Sequence, residues 1–252
     1  MKIKKILCGI AICVLLVSTC LSVVACAPNA KNVAGEQVTE EEWRAAFERL
    51  TANDAEFTVE YYAKSSTVYN HKTMIHTTKW TANAIGNYTY VKNGSLESKI
   101  GYGNVSYSGD KKAAENTVGI KAGKTSVEEY SGTANGNTYV FKKNLNDEWE
   151  RSEAYSGVLS GEFSYITYMA SQYSYYEYSK EHKGYVVKGY EEGDALSVYK
   201  FKNAKLVAVY YFAEDYTEES DAQEYACIAT KVEYHTTIIY SAKEIKLPTI
   251  SQ

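Results

Sequence analysis

Trp43, Ala46, Phe47 and Leu50 recur at steps of three and four, and that spacing lines one face of a helix. Thr39 and Glu42 stand ahead of them as a capping box, each able to satisfy a free amide of the first turn. Thr51-Ala52-Asn53-Asp54 ends the pattern. From Phe57 the period changes to two: Phe57, Val59, Tyr61 and Ala63 alternate with Thr58, Glu60, Tyr62 and Lys64. That is a strand with one buried face. A turn near Asn70 leads into a second strand over 73–83, with Trp80 on one face and Ile75 on the other. Gly86-Asn87 and Asn93-Gly94 read as turns around a short strand, Tyr88 to Lys92.

Residues 101–136 are rich in Gly, Ser, Asn and Lys, and read as loops and edge strands on the solvent side, with short strands at 104–107 and 126–131. Asn135-Gly136 and Asn146-Asp147 are hairpin turns flanking strands at 138–143 and 149–152. Leu159, Phe163, Ile166, Met169 and Tyr173 give 157–173 a second helical period. Four more strands are expected at 184–189, 196–202, 206–213 and 223–240, with a tight turn at Asn203-Ala204. In the last of them Ala226, Ile228, Val232, Tyr234, Ile238 and Tyr240 share one face.

The order predicts one α+β domain: a strongly curved antiparallel sheet, an unclosed β-barrel, with two helices on its concave side. Tyr at 25 and Pro at 2 fit an extensive sheet, because tyrosine suits a half-buried pleated surface and few prolines interrupt the ladders.

The beginning of the chain carries a different signal. Lys2, Lys4 and Lys5 precede an apolar run from Ile6 to Ala25. Basic residues before such a run are the layout of an export leader. Val23-Val24-Ala25-Cys26 resembles a lipobox, which implies cleavage before Cys26 and lipid attachment to its thiol. Residues 1–25 are then leader, 26–38 a lipid-anchored tether, and 39–252 the folded domain. The protein is expected at the cell membrane, facing outside the cytoplasm. Cleavage leaves 227 residues with 24 basic and 31 acidic side chains, a net charge of −7, which argues against nucleic acid as a partner. Cys227 is then the one free thiol, so disulfides contribute nothing.

The lipobox, the tether, Glu42-Trp43…Phe47…Leu50, the Phe57-to-Tyr62 strand and the Tyr199-to-Leu206 segment together resemble the LolA/LppX-type lipoprotein carriers and related lipoproteins of Gram-positive bacteria. The resemblance implies an apolar cavity that holds acyl chains, with no catalytic residues. On it, Phe57, Val59, Tyr61, Trp80, Phe141, Trp149, Phe163 and Met169 are candidates to line such a cavity. The same residue types also suit an ordinary core.

Motifs for chemistry are weak. Gly119…Ala122-Gly123-Lys124-Thr125 is one residue short of a phosphate-binding loop and lacks an apolar strand before it. His71, His76, His182 and His235 stand apart from one another and from Cys227, so no metal ligand set and no cofactor is expected. No serine sits in a nucleophile elbow. The expectation is a non-enzymatic, lipid-anchored binder of a hydrophobic ligand near the membrane. The alternative is an interaction or sensor module of a cell-envelope complex.

Overall fold

The computed structural model describes residues 29–72, 77–118, 121–134, 136–143, 147–154, 168–216 and 225–249. Eleven strands form one antiparallel, curved and unclosed sheet. They are β1 (Glu56–Lys72), β2 (Thr77–Asn93), β3 (Leu96–Gly109), β4 (Gly123–Ala134), β5 (Asn137–Lys143), β6 (Trp149–Ala154), β7 (Tyr176–Ser179), β8 (Gly184–Val187), β9 (Leu196–Lys202), β10 (Lys205–Tyr216) and β11 (Tyr225–Ile239). Two helices accompany them, α1 (Glu40–Thr51) and α2 (Lys111–Val118). The order across the sheet is β6-β5-β4-β3-β2-β1-β11-β10-β9-β8-β7. The chain therefore meanders outward from β1 to one edge, reappears at the other, and meanders back until β11 pairs with β1 along Thr58–His71.

The helix face of the sheet carries α1. Thr39 caps it as expected: its hydroxyl accepts from Glu42 N–H at 3.2 Å, and its own N–H donates to Glu42 Oε2 at 2.8 Å. Trp43, Ala46, Phe47 and Leu50 are all buried. They meet Phe57, Val59, Tyr90, Phe201, Leu206 and Ile238 from five strands. Six aromatic rings lie 5.0–5.9 Å from the Trp43 ring, and its indole N–H donates to Met169 O at 2.7 Å.

The opposite face is crossed by both ends of the folded chain. Residues 29–38, expected to be a free tether, are packed onto it and around its rim. Ala30 is fully buried among Val198, Ala208 and Tyr210. Lys200 Nζ donates to Lys31 O and Val33 O at 2.7 Å each. Gly35 N–H donates to Lys183 O at 2.9 Å, and a Cβ at Gly35 would come within 2.7 Å of that same oxygen. Tyr178 and Tyr185 donate to Gly35 O and Val38 O at 2.7 Å. Tyr173 also donates to Val38 O, at 3.2 Å. Small, polar composition reads as a linker, but here the backbone itself is the ligand of a lysine and three tyrosines. Near the other terminus Thr58 donates to Ser241 O at 2.8 Å, Ile245 is buried, and Leu247 lies over Gly132. This face is called the strap face below.

Several expectations are corrected. β1 does not turn near Asn70 but continues to Lys72, and β2 passes through Gly86-Asn87. Gly86 is opposite Ala63 on one side and Gly103 on the other, so ladders on both sides outweigh its turn preference. Residues 101–136 are not solvent-side loops: β3 and β4 lie inside the sheet, and α2 connects them. Their glycines reflect close approach, since a Cβ at Gly101 would strike Asn87 O and Tyr88. Across β11 the register slips near Ile228, where Tyr69 faces Cys227 and Val68 faces Ala229. The alternation expected through Ala226 and Ile228 is therefore broken. Most of the second expected helix, with Leu159, Phe163 and Ile166, falls outside the described residues. Within its described end Tyr168 and Met169 are helical, and a 3-10 turn, Tyr173–Tyr175, then leads into β7. The second described helix is α2, which packs Ala114 against Trp80.

Candidate hydrophobic site on the helix face

β1 and β2 are 17 residues each, about 56 Å long at the usual strand rise. α1 has 12 residues and is about 18 Å long, so it covers one end of the sheet only. Beyond α1 the helix face changes character. The next row is Tyr61, Tyr88 and Gly101, then Ala63, Gly86, Gly103 and Tyr234, then Ser65, Ala84 and Val232. Small side chains thus floor three adjacent strands in the middle of the sheet.

Aromatic rings bound this floor. On the α1 side Tyr61 stacks on Tyr88 with ring centroids 4.6 Å apart, and along the β10–β11 flank Tyr234 stacks on Tyr211 at 5.3 Å. At the far end Tyr69 stacks on Trp80 at 4.0 Å, and Tyr107 meets the Trp80 edge at 6.3 Å. Burial pushes the Tyr234 and Tyr69 hydroxyls up to about 12, helped by Tyr211 and Tyr107 respectively, and burial also raises Tyr211. These rings are uncharged throughout the physiological range. The result is a shallow trough whose small floor residues are themselves buried, Ala63 at 1% and Ser65 at 5% exposed, between taller aromatic pairs.

Toward β3–β5 the same face carries matched charges. Lys99 is 2% exposed and lies over the Tyr88 ring, 4.7 Å from its centroid. Lys92 pairs with Glu97 at 3.7 Å, and Lys142 with Glu129 at 2.7 Å. Charged groups therefore flank the trough without crossing its floor.

The expected lining residues are dispersed. Phe57, Val59 and Met169 belong to the filled core beneath α1. Tyr61 borders the trough, and Trp80 closes its far end. Phe141 and Trp149 lie by the β5–β6 edge on the strap face, around Tyr130, whose ring is 5.5 Å from Trp149. Phe163 and Cys26 lie outside the described residues. The sequence reading missed Tyr211, Tyr234, Gly86 and Gly103 as trough residues, because only the cross-strand register unites them.

The other features with chemical potential have structural partners. Lys124 and Thr125 are strand residues of β4, and Ala122 N–H donates to Glu115 at 3.0 Å, so no phosphate loop forms. Glu128 pairs with Lys143 at 3.4 Å, while its neighbour Glu129 engages Lys142 across the sheet. His235 Nε2 is 3.1 Å from Glu233 on the strap face, and His182 lies against Tyr190. Among the described residues no three His, Cys, Asp or Glu side chains converge as a metal set, and no helix is long and apolar enough to cross a membrane. A cleft of about 220 Å³ at the C-terminal end of α1 is lined by Arg49, Asp54, Glu56, Phe57 and Tyr240. It is below the roughly 300 Å³ where ligand pockets begin.

Comparison with protein-family models, with curated proteins and with solved structures finds no match to this chain.

Proposed function

We propose that this chain is a lipid-anchored protein on the outer side of the cell membrane that holds a hydrophobic, acyl-chain ligand on the helix face of its sheet, without catalysis. The observation that carries the reading is the mismatch between floor and ends. Ala63, Gly86, Gly103, Ser65 and Ala84 stand far lower than Tyr61, Tyr234, Trp80 and Tyr69 around them, and the strip they form is shielded from water, with Ala63 1% and Ser65 5% exposed. A hydrocarbon chain laid along that strip gains dispersion contacts with the small floor and with the aromatic rings beside it. Each buried methylene contributes about 0.8 kcal/mol. The lipobox supports the location, and the unclosed eleven-stranded sheet is in keeping with the carrier architecture that the sequence resembles.

Native mass spectrometry of protein purified from membranes tests the reading. A stoichiometric lipid adduct, distinct from the covalent lipid on Cys26, is expected. The Ala63→Phe variant is expected to lose that adduct while keeping its β-sheet circular dichroism. A wild-type protein that is empty at every charge state, or a variant that retains the full adduct, would contradict it.

A further inference from the structure

The strap face holds a feature that the ligand site does not use. One cross-strand row runs Tyr102, Asn87, Tyr62, His235 and Tyr210 over β3, β2, β1, β11 and β10. Its rings are near neighbours: Tyr62 and His235 are 5.8 Å apart, and Tyr210 and His235 are 5.1 Å apart. Ile85 and Ile100 flank the row on the same face and are 41% and 40% exposed. Tyr210 and His235 are themselves buried, 4% and 8% exposed, while Tyr62 and Tyr102 are half-buried. These two rings with hydroxyls, bordered by exposed aliphatics, suit the boundary between headgroups and acyl chains.

The way the chain arrives selects the partner. Ala30 packs against Tyr210, and the Lys31 ammonium lies over the Tyr210 ring at 5.7 Å. The strap thus begins over β10 and β11, at the Tyr210 end of the row. Cys26 precedes Asn29 by three residues. Three Cα steps span at most about 11 Å. Ala30, where the chain meets the row, is one step further, so a lipid on Cys26 enters the bilayer within about 15 Å of that place, not at the end of a long leash. Lys64 and Lys124 flank Ile85 on the same face, where long side chains reach phosphates. Glu233 is engaged by Tyr210 and His235, and Glu128 by Tyr130 and Lys143.

We infer that the strap face, centred on Tyr62, Tyr102, Ile85 and Ile100, lies against the headgroup region of the membrane that holds the Cys26 lipid. The trough on the helix face then looks away from that membrane. This rests on the anchoring part of the proposed function, and the experiment separates the two.

The full lipidated protein is reconstituted in phosphatidylglycerol–phosphatidylethanolamine vesicles. An environment-sensitive fluorophore is placed at Ile85→Cys, Ile100→Cys or, as a control near the far edge, Ser152→Cys, each with Cys227→Ser. Blue-shifted emission at 85 and 100, quenched by brominated lipids, with solvent-like emission at 152, is the expected result. Solvent-like emission at 85 and 100 in protein that floats with the vesicles overturns the orientation and leaves the anchor standing. Protein without lipid on Cys26 that does not float overturns both. Hydroxyl-radical footprinting of Tyr62 and Tyr102 in the unsubstituted protein, with and without vesicles, gives the same comparison if a labelled variant does not fold. Protection on vesicles supports the orientation, and equal oxidation overturns it.

Discussion

Trp43 is the residue on which the helix side of the molecule depends. It is fully buried, touches six other rings, and spends its one polar group on Met169 O. Trp43→Ala removes the centre of that cluster and is expected to cost about 3–5 kcal/mol, read as a lower urea midpoint. Lys200 does the equivalent work for the strap. Burial, aided by nearby Lys183, lowers its ammonium to about 8. In the unfolded chain it titrates near 10.4. Between those values the unfolded state holds the proton and the folded state does not, so stability rises with pH across that window. Lys200→Met leaves two strap carbonyls without their donor. It is expected to speed hydrogen exchange at Gly35 and to remove this pH dependence. The role of Lys200 was not legible in the sequence, where it is one lysine on a strand, because its partners are backbone atoms about 170 residues away.

At the scale of elements, local signals were reliable and non-local ones were not. The capping box on α1 is complete in Thr39 and Glu42 alone, and it forms as read. Thr39→Ala is expected to cost about 1 kcal/mol, measured by thermal unfolding. Asn203 and Ala204 both adopt positive φ, 50° and 54°, in the tight β9–β10 turn that their position suggested. Gly94 and Gly136 turn where expected. Gly86 does not, because the identity of its neighbours in the sheet is fixed by pairing with Ala63 and Gly103, 23 and 17 residues away. The same gap explains the trough. Tyr61 and Ala63 were visible as one face of β1, but the short floor exists only once β2, β3 and β11 are in register. Composition misled most in 101–136, where glycines that allow strands to approach looked like glycines that make loops.

For the whole molecule, tyrosine is both the main packing residue and an alkaline liability. Tyr69, Tyr130, Tyr210, Tyr234 and Tyr240 are each pushed up to about 12, with burial as the leading cause. An unfolded tyrosine ionises near 10. Between 10 and 12 the unfolded state sheds protons that the folded state keeps, so stability is intact below 10 and lost as pH rises toward 12. Phenolate absorbance at 295 nm and loss of near-ultraviolet circular dichroism are expected to rise together above pH 10; independent titration near 10 with the fold retained would contradict the burial. Pairing the first strand with the last makes the sheet rich in distant contacts, which favours slow folding.

The central claim is that hydrocarbon lies on the small-residue floor between α1 and the Trp80 cluster. Photo-crosslinking with a diazirine-bearing fatty acid, followed by peptide mapping, tests it most directly. Adducts on the 61–67 stretch of β1 and the 230–234 stretch of β11, competed away by unlabelled fatty acid, are the predicted result. Adducts confined to the strap face around Ile85 and Ile100, or labelling that competitor does not reduce, would contradict it.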